Sequence, residues 1–274
     1  MPVQTKAKNK VWDVLIIMLT VILVAMIGVV GYLYFNHKNA AEPMAAEVGF
    51  PVETAFHGCE HPPELAWEYA APPSAIRSKE IYTPEAMEFV AGYHEYGLTT
   101  QNMDITEDVA GEDFPLLIQW DTRWGYQLYG TNYMGNNGCG PTALAIVYAG
   151  LTGKTDWNPW QIACYAIANN LYVSQVGTKW VLMEIGGEYL GLTVDVIGEE
   201  KELARTALEE GKVLILEVGP GDFTSGGHFI VVTELLENNE VVVRDPNSRE
   251  KSAVTWEYDR VMEQANYVWA YTYG

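Results

Sequence analysis

Asn137-Gly138-Cys139-Gly140-Pro141-Thr142, followed by Ala143-Leu144-Ala145-Ile146-Val147-Tyr148, decides how the rest of the chain is read. The first block sets a thiol among small and turn-forming residues; the second is apolar. Pro141 suits the first turn of a helix. Leu144, Val147, Tyr148 and Leu151 recur at helical spacing and share one face. Gly150 and Gly153 are the expected stops. Cys139 is therefore expected at a helix N-terminus, where unpaired N–H groups and the macrodipole favour negative charge. That draws a thiol below its free value of about 8.5 and makes a thiolate nucleophile available near neutral pH.

Working outward, a nucleophilic thiol needs a base and a site for a developing oxyanion. Histidine is the usual base because its pKa lies near neutrality. Between residues 95 and 274 there is one histidine, His228, after Thr224-Ser225-Gly226-Gly227 and at the head of Phe229-Ile230-Val231-Val232. The runs from His228 to Leu236 and from Glu240 to Asp245 flank Asn238-Asn239 and read as a hairpin. A hairpin brings the start of one strand beside the end of the other, so His228 and Asp245 emerge together. The carboxylate can then fix the imidazole tautomer. Gln119, in Leu116-Leu117-Ile118-Gln119-Trp120-Asp121, offers an amide donor to an oxyanion, with the Cys139 N–H as the second donor. Taken singly, each residue has a plainer reading: a strand-edge histidine, an Asp-Pro-Asn turn, a polar residue among aromatics.

The four blocks together resemble the bacteriocin leader-peptidase-like family of papain-like cysteine peptidases. They are Gln119-Trp120-Asp121-Thr122-Arg123-Trp124-Gly125, Gly138-Cys139-Gly140-Pro141-Thr142, Gly226-Gly227-His228-Phe229-Ile230-Val231 and Asp245-Pro246-Asn247-Ser248. They stand in the family's order, and Gly177-Thr178-Lys179-Trp180 is similar to its Gly-Thr-x-Trp element. The resemblance covers about residues 114–274. It implies an α+β papain-like fold, with the nucleophile helix in an N-terminal helical part packed on an antiparallel sheet. It also implies Cys139 as nucleophile, His228 as base, Asp245 as orienting residue and Gln119 in the oxyanion hole, with no cofactor and no metal. The family's namesakes front ABC exporters and cut double-glycine leaders in the cytoplasm. This chain carries no ATPase motif, so leader processing is not implied. A peptide or protein is the expected substrate. Two other expectations stand beside it: a cell-wall peptide amidase or transpeptidase, and a silent surface binding module.

The same alternation of signals lays out the remainder. Asn158-Pro159 caps a helix to about Asn169; further helices are expected from Thr178 to Leu190 and from Lys201 to Glu210, the latter stopped by Gly211. Lys212–Val218 and Tyr267–Tyr273 read as strands. Several strands are apolar on both faces, so the sheet is expected to be covered on both sides.

Upstream, Val14 to Phe35 is a run of 22 positions broken only by Thr20 and two glycines, with no charge. That is long enough to cross a bilayer and too long for a signal h-region. Lys6, Lys8 and Lys10 precede it and set the N-terminus in the cytoplasm. The expected layout is a cytoplasmic tail (1–13), one transmembrane helix (14–35), an extracytoplasmic stalk (36–113) with a short helix near 84–95 that turns Phe89, Val90 and Tyr93 inward, and the peptidase domain (114–274). Net charge is −20; residues 1–38 carry four Lys and one Asp, a net of +3, which leaves −23 on the rest. So acidic a surface excludes nucleic acid as a partner. His57-Gly58-Cys59-Glu60-His61 does not complete a tetrahedral metal set. Cys59 and Cys164 could pair outside the cell, but nothing in the sequence brings them together, and Cys164 reads most simply as a small core residue.

Overall fold

The computed structural model describes residues 72–274 apart from Leu98, Thr100 and Gln175. The apolar run Val14–Phe35, the tail before it, and Cys59 with its flanking histidines lie outside the described residues. Among the described residues no helix is long and apolar enough to cross a membrane.

Ahead of the peptidase-like region come α1 (Ser74–Tyr82), a 3-10 turn (Pro84–Ala86), α2 (Met87–Ala91), α3 (Tyr93–Tyr96) and α4 (Thr106–Gly111). Phe89, Val90 and Tyr93 do turn inward. With Ile76 and Ala86 they pack against Ile118, Trp120 and Tyr126 in a cluster of their own. The Phe89 and Tyr126 rings stack at 4.3 Å, and the Tyr126 hydroxyl donates to the Phe89 carbonyl at 2.5 Å. Residues 74–97 are thus fastened to the body by apolar burial, and α1 is a helix with no signal in its own composition.

A small ladder, β1 (Leu128–Tyr129) with β2 (Asn132–Tyr133), leads through α5 (Met134–Asn137) into α6 (Cys139–Thr152). Helix α6 starts two residues earlier than Pro141 suggests, so Cys139 lies in its first turn. It ends at Gly153, which takes the left-handed cap conformation at φ 66°. Gly150 is not a stop. It lies inside the helix, where the Phe114 ring packs so closely that a Cβ would come within 2.0 Å of it. Helix α7 (Pro159–Ala168) has the expected Asn158 cap, reinforced by Gln161 in a reciprocal capping box. The ladder β3 (Tyr172–Val173) with β4 (Gly177–Thr178) follows. The helix expected from Thr178 is shorter and distorted: β4 occupies its start, and a π turn (Leu182–Gly186) precedes α8 (Gly187–Tyr189).

The second half is sheet. Strands β5 (Thr193–Gly198), β6 (Val213–Val218), β7 (His228–Leu235), β8 (Glu240–Arg244), β9 (Thr255–Glu257) and β10 (Ala265–Thr272) form one antiparallel sheet in the order β5-β10-β6-β7-β8-β9. Helices α9 (Lys201–Glu209), α10 (Arg249–Ser252) and α11 (Tyr258–Gln264) interrupt the strands. Both faces of the sheet are covered. Val213, Ile215, Phe229, Val231, Trp269 and Tyr271 meet α6, α7 and the π turn. Leu214, Leu216, Ile230, Val232, Val241 and Val243 meet Ala204, Ala207 and Leu208 of α9 and Val261 and Met262 of α11. Period-two alternation of residues that are apolar on both sides is what a sandwiched strand requires. Strands β1 to β5 and β9 and helices α1, α4, α5, α10 and α11 have no counterpart in the sequence reading.

Candidate active site

The hairpin of β7 and β8 pairs Val231 with Arg244 and Val232 with Val243, which carries His228 and Asp245 to the same end of the sheet. There His228 Nε2 donates to Asp245 Oδ1 at 2.6 Å. Asp245 is fully buried and His228 is 6% exposed. Three further bonds hold the carboxylate loop. The Asn247 N–H donates to Asp245 Oδ1 at 2.8 Å, the Asp245 N–H donates to Ser252 Oγ at 2.8 Å, and the Gln119 N–H donates to the Pro246 carbonyl at 2.7 Å.

Cys139 approaches from the opposite side, in the first turn of α6. Its thiol is free, half-buried and close enough to the His228 ring to interact with it. Nε2 is engaged by Asp245, so Nδ1 is the ring nitrogen left for the sulfur. Gly140 is required beside it, because the Thr178 side chain stands where a Cβ would be, at 2.7 Å from Oγ1. Thr178 is fixed in turn by the Tyr129 hydroxyl at 2.9 Å. The Gly-Thr pair of β4 therefore braces the turn that presents the thiol.

Burial pushes the Cys139 thiol up. The His228 ring outweighs it, together with the Phe229 and Gly140 main-chain N–H groups, and the net direction is down. Burial pulls the His228 ring down, and the Asp245 carboxylate and the sulfur outweigh that, so the net direction is up. Opposite displacements of adjacent groups favour a thiolate–imidazolium pair.

Gln119 joins the same assembly less directly. Its Nε2 donates to the Gly135 carbonyl at 2.8 Å, and its Oε1 is buried without a hydrogen-bond partner. His228 interacts with Cys139 on one side and Asp245 on the other, whereas Gln119 is tied to the turns on either side of them. The motif around Gln119 is fastened by Arg123, whose guanidinium spans Asp108 of α4 at 2.7 Å and Asp121 at 2.9 Å.

Two charged residues beside the site escaped the sequence reading. Glu217 is the one charge within the buried strand Val213–Val218, a signal that was legible. It accepts a hydrogen bond from Asn266 Nδ2 at 2.9 Å, and burial raises it to about 7, against the lowering effects of Asn266 and His228. Lys79 of α1 lies in a Pro-, Ala- and Glu-rich stretch with no signal at all. It is 6% exposed. Cys164 is buried, as expected of a small core residue, and is also disulfide-bonded. Trp124 is buried in the core, and Trp157, Trp180 and Trp256 pack against core clusters.

The model of the Peptidase_C39 like family matches residues 112–274, more than half of the chain. The chain belongs to this C39-like peptidase family. Two solved structures are similar to it. One is the peptidase domain of Streptococcus ComA, a bi-functional ABC transporter involved in a quorum-sensing pathway. It is 18% identical, at a TM-score of 0.38 over 50% of this chain and 93% of that one. The other, from Bacillus anthracis and assigned as C39-like, is 15% identical, at a TM-score of 0.34 over 51% of this chain and 90% of that one. No curated protein matches. The C39-like match begins at residue 112, so α1 to α4, Lys79 included, lie outside it.

Proposed function

We propose that this C39-like protein is a cysteine peptidase in which Cys139 is the nucleophile and His228 the general base. Asp245 orients His228, and Gln119 with the Cys139 N–H receives the oxyanion. The line from Cys139 to the adjacent His228 ring, itself hydrogen-bonded to the buried Asp245, carries this reading. His228 Nδ1 takes the thiol proton, and the thiolate attacks the peptide carbonyl carbon. The resulting oxyanion meets the Cys139 N–H and the second amide hydrogen of Gln119, the first being committed to Gly135. The C–N bond then breaks, the leaving amine takes the proton back from Nδ1, and a thioester remains. A water molecule gives its proton to His228 and attacks the thioester; the acid leaves and the thiolate is restored. Asp245 stays ionised throughout.

The test is alkylation of Cys139 in the full-length chain by iodoacetamide across the range from about pH 5 to 9. The expected result is a rate that persists well below the ordinary thiol range and moves up into it in His228→Gln, a variant that keeps an amide for Asp245 to face. Ordinary thiol behaviour in the unaltered chain, unmoved by His228→Gln, would end the proposal. Hydrolysis of a peptide library, with peptidoglycan fragments in parallel, then separates protein substrates from cell-wall substrates.

The reading extends to placement. We propose that Val14–Phe35 anchors the chain and that the peptidase region lies outside the cytoplasm, supported by the length of the uncharged run and the lysines before it. Protease added to intact cells is expected to remove the peptidase region; complete protection in intact cells, with digestion only after lysis, would reverse the orientation.

A further inference from the structure

Lys79 is the buried cation that the catalytic scheme does not use. It sits on α1, ahead of the C39-like region, yet its ammonium donates to Asn247 Oδ1 two residues beyond Asp245. Asn247 is the hinge of a small network. Its N–H holds Asp245 Oδ1 at 2.8 Å, its Nδ2 donates to Thr83 Oγ1 at 3.3 Å, and its carbonyl accepts from Trp120 Nε1 at 3.0 Å. The segment that carries Lys79 grips both walls of the site. Ala75 offers its carbonyl to Asn136 Nδ2 at 2.9 Å, three residues before Cys139. Glu85 accepts from the Ser248 hydroxyl and from the Arg249 N–H at 2.8 Å and the Glu250 N–H at 3.2 Å, at the N-terminus of α10.

One further observation says what such a cation is for. Asp245 is fully buried, and its Oδ2 has no hydrogen-bond partner. An uncompensated buried carboxylate oxygen is costly. The Lys79 ammonium interacts with the charges of both Asp245 and Cys139. With Lys79 protonated, the cluster of thiolate, imidazolium, carboxylate and ammonium is neutral; without it, the cluster carries an excess negative charge around a fully buried carboxylate.

We propose that Lys79 is a positioning residue of the catalytic centre, supplied by the segment ahead of the C39-like region. It holds Asn247, and through it Asp245, and its charge favours the Cys139 thiolate. This deepens the cysteine-peptidase reading and rests on it. Burial draws Lys79 down to about 8, with Cys139 and Asp245 opposing that fall. Its charge is therefore present at neutral pH and is lost as pH rises through that value. The charged groups facing it are Cys139 on α6 and Asp245 after β8, while Glu85 on its own segment is committed to Ser248 and α10.

The experiment measures the Cys139 alkylation rate against pH in the full-length chain and in Lys79→Met, Lys79→Gln and Lys79→Arg, with melting temperature followed alongside. The expected result is a midpoint raised by about one pH unit in the Met and Gln variants, near ten-fold slower alkylation on the acid side, and recovery of most of it in Lys79→Arg. An unchanged midpoint in a folded Met or Gln variant would reduce Lys79 to a structural role and overturn the proposal. So would faster peptide hydrolysis, which would mark the segment as a cover over the site. Coupling between two charges is reciprocal, so a second measurement leaves Lys79 in place: its Nζ resonance, titrated in isotope-labelled protein, is expected at lower pH in Cys139→Ala than in the unaltered chain. No movement there overturns the proposal even if the Lys79 variants fail to fold. Failure of the peptidase reading looks different: Cys139 of the unaltered chain would then react as an ordinary thiol, and His228→Gln would not slow it.

Discussion

Helices α6 and α9 cover opposite faces of one sheet and are held there in different ways. Helix α6 buries ten consecutive residues, Gly140 to Ala149, because the sheet, α7 and the π turn enclose it. Helix α9 buries only Ala204, Ala207 and Leu208, and shows Lys, Glu and Thr to solvent. An enclosed helix cannot shift without disturbing packing on every side. A covering helix can yield on its outer face at little cost. The proposed nucleophile, Cys139, is on the enclosed helix, in its first turn. A thiolate that must meet an imidazole from the other half of the chain needs a rigid mount, and α6 supplies one.

The largest expected effect separates the two tasks of α6. Cys139→Ala is expected to lower peptide hydrolysis by at least about 10³-fold, roughly 4 kcal/mol of transition-state stabilisation. The melting temperature should stay close to that of the unaltered chain, because a half-buried thiol contributes little packing. Residual hydrolysis within ten-fold of the parent would place the chemistry elsewhere.

The next effect tests the mount. Leu144→Ala removes a fully buried side chain from α6 and is expected to cost about 3 kcal/mol, through lost burial and the cavity left behind. Leu203→Lys on α9, where the leucine is 54% exposed, is expected to stay within about 0.5 kcal/mol. Urea unfolding of both variants gives the comparison directly. Equal losses would mean that the two helices are not held differently after all.

The same contrast explains what could be read before the structure was known. The Gly211 stop marks the end of α9 to within a residue, at Lys201–Glu209. Helix α6 is recognisable as a helix, but its apolar run has no solvent face to define its limits, and Gly150, which reads as a stop, makes room for Phe114. The meeting of His228 and Asp245 was legible because hairpin pairing is local arithmetic. Lys79 was not, because its burial depends on Asn247, 168 residues away, and no periodicity in its own segment records that contact. The π turn after β4 was likewise hidden: Trp180 to Tyr189 has helical composition, and only tertiary packing inserts the extra residue per turn.

Glu217 gives the smallest effect and sharpens the comparison from the sheet itself. Its neighbours Val213 and Ile215 face α6, and strand alternation puts Glu217 on that same side, beyond the end of the apolar contact and beside His228. Burial raises its carboxyl to about 7 from an ordinary value of 4.5. The folded state therefore binds this proton more tightly than the unfolded state. Its contribution to stability is complete below about pH 4.5 and is lost as pH rises to about 7, with no further change above. Glu217→Gln removes the titration while keeping an oxygen for Asn266. The variant is therefore expected to gain on the parent between pH 5 and pH 8, by on the order of 2 kcal/mol, or roughly 4–8 °C in melting temperature. A difference between the two proteins that is the same at both pH values would show that Glu217 is ionised in the folded state from pH 5 upward, and that water reaches this end of the α6 face of the sheet.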